Sequence, residues 1–227
     1  MNRTYTLLIL FALFFSGCKS QIDIELVDKP IIFDQQRKEL TLEYKKNRYE
    51  LDDQTVDIIP QMIVLHWTVI PTFEKTFEAF NPAQLPNWRP ELENVSGLNV
   101  SSQFVVDRDG TIYRLMPETT MARHTIGLNH CAIGIENVGG TEELPLTEAQ
   151  KQSNIKLVSY LKEKYSTIDY LIGHYQYTNF EEHPLWLEVN DGYRTKKNDP
   201  DEAFLNAVKE ATKHYNFKPT PPAKNED

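Results

Sequence analysis

The apolar positions of this chain follow two periods, and the periods mark its elements. Met62-Ile63-Val64-Leu65 is a continuous apolar run that predicts a buried strand and delivers His66 at its C-terminal end. Phe73, Phe77 and Phe80 share one helix face, which predicts a helix over 73–80. Residues 81–100 are rich in Pro and Asn and read as loop. The runs Gln103–Val106 and Thr111–Leu115 flank Asp109-Gly110, a hairpin signal in which both turn residues must tolerate positive φ. Ala132–Glu136 is another apolar strand. Thr147-Glu148-Ala149-Gln150 fits a capping box, in which Thr147 caps a helix and Gln150 reaches back to it. That helix runs to about Lys164, with Ile155, Val158 and Leu161 on one face. Tyr170-Leu171-Ile172 is a third apolar strand ahead of His174, and Asp201 to about Tyr215 is a final amphipathic helix started by Pro200. Charged and apolar positions alternate around Leu40, Leu42 and Tyr44, which predicts a helix or short helix pair within 31–60, ended by Pro60. Strands alternate with helices around a central hairpin. The expected class is therefore α/β, with a mixed central sheet flanked by helices and histidines at its strand ends.

The N-terminus follows different rules. Leu7–Phe15 is unbroken apolar sequence behind Arg3. It is too short to span a bilayer core of about 30 Å, which needs roughly 20 residues, and it suits the apolar region of an export signal. Phe15-Ser16-Gly17-Cys18 follows directly and resembles a bacterial lipobox. The resemblance implies that residues 1–17 are removed as a lipoprotein signal peptide and that Cys18 carries a diacylglycerol. Residues 18–30 then read as a lipidated polar tether, 31–216 as one globular domain with 31–60 as its N-terminal extension, and 217–227 as a disordered tail rich in proline and charge. With Cys18 lipidated, Cys131 has no partner, so no disulfide is expected, and Cys131 reads as a small buried hydrophobe. A net charge of −9 argues against a nucleic-acid partner, which would want a basic face.

Three stretches carry chemistry: Ile63-Val64-Leu65-His66-Trp67-Thr68, Ile133-Gly134-Ile135-Glu136-Asn137, and Ile172-Gly173-His174 with the later Lys197-Asn198-Asp199-Pro200. Singly each is weak, since a histidine at a strand end is usually a structural residue. Together they hold two imidazoles and a carboxylate, three ligands that leave the fourth position of a zinc ion open, as catalytic rather than structural zinc requires. A further glutamate can move protons and a lysine can meet a developing oxyanion.

In order and flanks these pieces resemble the zinc-dependent N-acetylmuramoyl-L-alanine amidases of the AmpD-like, peptidoglycan-recognition-protein superfamily, over roughly residues 60–210. The resemblance implies that His66, His174 and Asp199 bind Zn2+, with Glu136 and Lys197 catalytic. His124 of Arg123-His124-Thr125-Ile126-Gly127, with Asn129, takes the place of a groove-lining histidine and would bind substrate. The implied activity is zinc-dependent hydrolysis of the amide between N-acetylmuramic acid and L-alanine, in peptidoglycan or muropeptides; the lipobox places it on a membrane outside the cytoplasm, and a monomer is expected. The interval between His174 and Asp199 is longer than the family pattern. It contains Glu181, Glu182 and His183, of which His183 is a rival third ligand, and Trp186 and Tyr193 as candidates for shaping the groove. The alternatives are a non-catalytic peptidoglycan-binding lipoprotein of the same fold, a structural lipoprotein, and a zinc peptidase acting within the stem peptide. For the last, no His-Glu-x-x-His helix is present.

Overall fold

A computed structural model of the chain describes residues 22–87 and 95–223. The expected signal sequence and Cys18 lie outside the described residues, as do residues 224–227 of the expected tail. The elements in chain order are β1 (Val27–Asp28), α1 (Gln35–Tyr49), β2 (Met62–Trp67), α2 (Phe73–Phe80), β3 (Phe104–Val106), β4 (Ile112–Arg114), β5 (Ala132–Asn137), α3 (Glu148–Lys164), β6 (Tyr170–Gly173) and α4 (Glu202–Ala211). A 3-10 helix, His174–Phe180, continues directly from β6, and another, Lys213–Tyr215, follows α4.

The six strands form one mixed sheet in the order β1-β4-β3-β5-β2-β6. β3, β5, β2 and β6 are mutually parallel, β4 is antiparallel to β3, and β1 is parallel to β4. The parallel strands are covered on both faces, which is why they read as continuous apolar runs rather than alternating ones. Side chains still alternate between faces. Ile63, Leu65, Ile133, Ile135 and Leu171 pack against Leu157, Val158 and Leu161 of α3 and Phe204, Leu205 and Val208 of α4. Met62, Val64, Ala132 and Ile172 point the other way, onto Leu128, Cys131, Tyr177 and Phe180. His66 and Glu136 continue the second set by parity, so both lie on the face away from α3 and α4.

The hairpin forms with a different turn from the one its sequence suggests. Gly110 N–H donates to Asp107 O at 2.9 Å and Asp107 N–H donates to Thr111 O at 2.9 Å. Gly110 alone takes positive φ, +91°, so Asp109 needs no left-handed conformation. A Cβ on Gly110 would also stand 2.9 Å from Ser153 Oγ.

Three further expectations change. Residues 31–60 hold one helix, and it ends at Tyr49 through a left-handed Glu50 (φ 54°), well before Pro60. The described part of the supposed tether, from residue 22, is docked: Ile24 and Leu26 pack on the core, β1 pairs with β4, and Asp28 accepts from Arg114 at 2.7 and 3.0 Å. The described part of the supposed tail is tied down as well. Phe217 packs on the core, Lys218 N–H donates to Asp169 O at 2.8 Å, and Asn179 Nδ2 donates to Pro221 O at 2.8 Å. Among the described residues no helix is long and apolar enough to cross a membrane.

The capping box at Thr147 is present, and its glutamine does more than cap. Gln150 Oε1 accepts from Thr147 N–H at 2.9 Å, while Nε2 donates to Val106 O and Val138 O at 3.2 and 2.9 Å, tying α3 to the ends of β3 and β5. Gln150→Ala should leave Val138 O without its donor and Val106 O with only the Val138 N–H, and lower stability by about 1–3 kcal/mol, the cost of one buried unsatisfied group. Urea unfolding checks this as a lower midpoint at unchanged slope.

Candidate active site

β2 lies between β5 and β6, with His66 opposite Glu136 and Leu65 opposite Gly173. His174 therefore begins one residue beyond the end of β6, beside His66, and the ring centroids are 4.3 Å apart. Asp199 arrives from the segment before α4, whose backbone is anchored where Tyr175 N–H donates to Asp199 O at 3.1 Å. All three side chains are buried, at 1%, 7% and 7% exposure for His66, His174 and Asp199.

Their donor atoms converge. Asp199 Oδ2 is 3.3 Å from His66 Nδ1 and 3.0 Å from His174 Nδ1, and the three potential ligand atoms lie within 4.8 Å of one another. Ligands about 2.0–2.1 Å from a tetrahedral ion stand about 3.3 Å from each other. The spacing and the nitrogen–nitrogen–oxygen donor set thus fit a divalent transition metal, zinc in particular. Electrostatics agree. Burial, then the neighbouring His174, pushes the His66 pKa down to about 4, against an opposing pull from Asp199. Burial likewise lowers His174. For Asp199 burial would raise the pKa, but charge and hydrogen-bond interactions with the two imidazoles outweigh it and hold the carboxyl well below the usual range. At neutral pH the site thus presents two neutral imidazoles and one carboxylate, the protonation states a metal needs.

The cluster opens into a cleft of about 300 Å³ lined by Trp67, Val69, His124, Glu136 and Lys197 among others. Glu136 is brought there by the register with His66, and Lys197 by its position two residues before Asp199. The structure thus gathers His66, His174, Asp199, Glu136, Lys197 and His124 in one place. At the substrate end both expected residues are also held by the protein itself. Asn129 is fully buried at the wall of a neighbouring cleft, and its Oδ1 accepts the backbone N–H groups of His124 and Thr125 at 2.9 and 2.7 Å, so it braces the loop that carries His124. His124 reaches the cleft with its ring, but both ring nitrogens face protein atoms: Nδ1 is 3.0 Å from His66 Nε2 and Nε2 is 3.3 Å from Ala132 O.

His183 is not at the cluster. Its Nε2 meets Tyr170 OH at 3.0 Å, and its Nδ1 accepts Leu185 N–H at 3.2 Å. Glu181 is paired with Arg194 at 2.8 Å. In the intervening loop Trp186 turns inward over Gly127, whose added Cβ would come within 2.5 Å of the indole, whereas Tyr193 lines a second cleft of about 110 Å³ that adjoins the first at His124, His174 and Lys197. This loop is fastened to α1 by Glu188, which accepts from Arg48 Nε at 3.2 Å in a buried pair.

Sequence reasoning passed over Thr125, whose Oγ1 is 2.9 Å from His124 Nδ1, and Gly134, whose added Cβ would stand 2.9 Å from the His124 ring. A glycine inside an apolar strand does signal close approach by a neighbouring group, so the second was within reach.

The family model described as N-acetylmuramoyl-L-alanine amidase matches residues 56–202, well over half of the chain, and that span contains every residue of the cluster. Among solved structures, the N-acetylmuramoyl-L-alanine amidase LysC from Clostridium intestinale URNW is 22% identical, with 84% of this chain and 99% of that one covered at a TM-score of 0.50, a likeness of fold. A selenomethionine derivative of AmpD is 24% identical, with 67% and 88% covered at 0.48. Human PGRP-IBETAC, in complex with glycosamyl muramyl pentapeptide, is 17% identical, with 67% and 83% covered at 0.46. No curated protein sequence matches the chain.

Asp199→Ala should weaken zinc binding at least about 100-fold, because an open two-imidazole site loses its anionic ligand. His183→Ala should leave zinc affinity where it was. Competition against a chromophoric chelator reads both.

Proposed function

The chain belongs to the N-acetylmuramoyl-L-alanine amidase family, and from that membership we propose that its cleft hydrolyses the amide joining N-acetylmuramic acid to L-alanine in peptidoglycan, with zinc held by His66, His174 and Asp199. The observation that carries the zinc reading is the convergence of Nδ1, Nδ1 and Oδ2 on one point with 3.0 and 3.3 Å edges. When bound, the ion supplies Lewis acidity, polarising a carbonyl and making water nucleophilic at neutral pH.

The chain's own groups then have these roles. Glu136, opposite His66 in the sheet, takes the proton of the water that attacks the lactyl carbonyl carbon. The C–N bond breaks as the new C–O bond is kept, and Glu136 returns the proton to the departing alanine nitrogen. The products are the muramyl carboxylate and a peptide with a free N-terminal alanine. Lys197 places a positive charge beside the carbonyl oxygen as charge builds there. Tyr193 and the second cleft extend the binding surface away from the cluster, on the side that α1 and Glu188 support. The presence of Glu136 and Lys197 in the same cleft as the ligands favours catalysis over binding alone.

Purified peptidoglycan digested with the protein should release peptides beginning with alanine and leave intact glycan. A chelator should stop release, and zinc should restore it. Cleavage inside the stem peptide, or activity indifferent to chelation, would overturn the reading. Glu136→Ala should retain stoichiometric zinc and lose about 10²–10⁴ in rate, the usual contribution of a positioned proton carrier.

The lipobox-like Phe15-Ser16-Gly17-Cys18 supports a second part of the proposal. Cys18 becomes the lipidated first residue and attaches the enzyme to a membrane outside the cytoplasm, two acyl chains sufficing for stable attachment. In cells grown with labelled palmitate, the wild-type chain should take up label and sediment with membranes. Cys18→Ser should do neither.

A further inference from the structure

A histidine that binds a metal through one nitrogen needs a partner for the other, because that partner fixes the tautomer and the plane of the ring. For His66 the partner is neither a carboxylate nor a backbone carbonyl. Its Nδ1 faces Asp199, and its Nε2 lies 3.0 Å from Nδ1 of His124. The two rings stand edge to face, with centroids 5.0 Å apart and planes at 90°. The far nitrogen of His124, Nε2, is 3.3 Å from the carbonyl oxygen of Ala132. A carbonyl oxygen only accepts, so Nε2 of His124 carries the proton. A neutral imidazole with its proton there has a bare Nδ1. That bare nitrogen is the acceptor for Nε2–H of His66, which in turn leaves the lone pair of His66 Nδ1 directed at the point shared with His174 and Asp199.

The ring of His124 is held in this attitude from several sides. Asn129 fixes its backbone through the two N–H groups it accepts. Gly134 gives the ring room, and Gly134 N–H is itself held by Gln103 Oε1 at 2.8 Å. Thr125 Oγ1 stands 2.9 Å from His124 Nδ1 and 3.5 Å from His66 Nε2, closing the small network on its remaining side.

We propose that His124 is a positioning residue: it sets the tautomer and orientation of the metal ligand His66, through a hydrogen-bond chain that starts at the Ala132 carbonyl, and is not a substrate ligand. This rests on the reading of His66 as a zinc ligand.

The test uses the full chain in detergent, with zinc affinity measured by chelator competition and KM and kcat measured on muropeptide at saturating zinc. His124→Leu should weaken zinc binding 10- to 100-fold, the usual effect of losing such a partner, with KM unchanged. His124→Asn, whose side-chain oxygen can sit where Nδ1 was, should recover most of that affinity. Nitrogen-15 spectra of zinc-loaded wild type should show His124 neutral and protonated at Nε2, an observation that needs no variant to fold. Zinc affinity untouched by His124→Leu, a raised KM with zinc unaffected, or His124 protonated at Nδ1 would each overturn the assignment. Wild type that binds no zinc would instead overturn the proposed zinc dependence, and this assignment with it.

Discussion

His66 and Glu136 face one another because β2 and β5 run parallel with Leu65 opposite Ile135, and everything at the site follows from that register. Side chains in a strand change face at every residue. A slip of one position would turn His66 toward α3 and α4, into a wall of Leu and Val, and bring Leu65 to the cleft. The apolar surface on both faces of the sheet forbids the slip, since it would also misplace Ile63 and Val64, which are fully buried on opposite sides. The same constraint sets Gly173 beside Leu65, so the chain leaves β6 with His174 already next to His66. Chemistry that needs sub-ångström placement is thus delegated to strand ends, while Asp199, which comes from an irregular segment, is oriented by the imidazoles it meets.

The second wall of the cleft has a different physical origin. α1 buries Arg37, Thr41, Tyr44, Lys45 and Arg48 rather than an aliphatic stripe. These side chains reach carbonyls and carboxylates of the surrounding segments. Arg37 Nη2 donates to Phe80 O and Asn81 O at 2.8 and 3.1 Å, and Lys45 Nζ donates to Asp53 Oδ1 and Thr55 O at 2.6 and 2.7 Å. The pair of Arg48 with Glu188 crosses 140 residues of sequence. Such a pair contributes little net stability, but losing one member costs about 3–5 kcal/mol because the other charge stays buried. It therefore acts as a conditional fastening, holding the loop that carries Tyr193 only while α1 is in place.

These two origins explain what the sequence disclosed. The strands, the capping box at Thr147 and the helix over 73–80 were legible because apolar periodicity dictates them. The cluster of His66, His174 and Asp199 was legible because these residues sit in short motifs at predictable element ends. α1 was blurred because its buried face keeps helical spacing but is polar, so a hydrophobic period finds little to follow. The edge strand β1 and the docked residues 217–223 were misread for a related reason: their attachment is by backbone hydrogen bonds and isolated contacts of Ile24, Leu26 and Phe217, which composition does not reveal. Asn129 was read as a substrate-binding group, and its second part, as an internal brace for the backbone of His124 and Thr125, shows only in the fold.

Gly134 carries a consequence for how a chain of this kind can change over generations. Its missing Cβ and the ring of His124 occupy adjoining space, at a separation of 2.9 Å. A larger residue at 134 would evict the ring, and a smaller residue at 124 would leave a hollow against His66. Either change made alone passes through a crowded or a hollow intermediate, each costly in a close-packed interior. The two positions, one in a strand and one in a loop, are thereby bound into a single inherited unit, and in diverging lineages they are expected to be kept together or exchanged together.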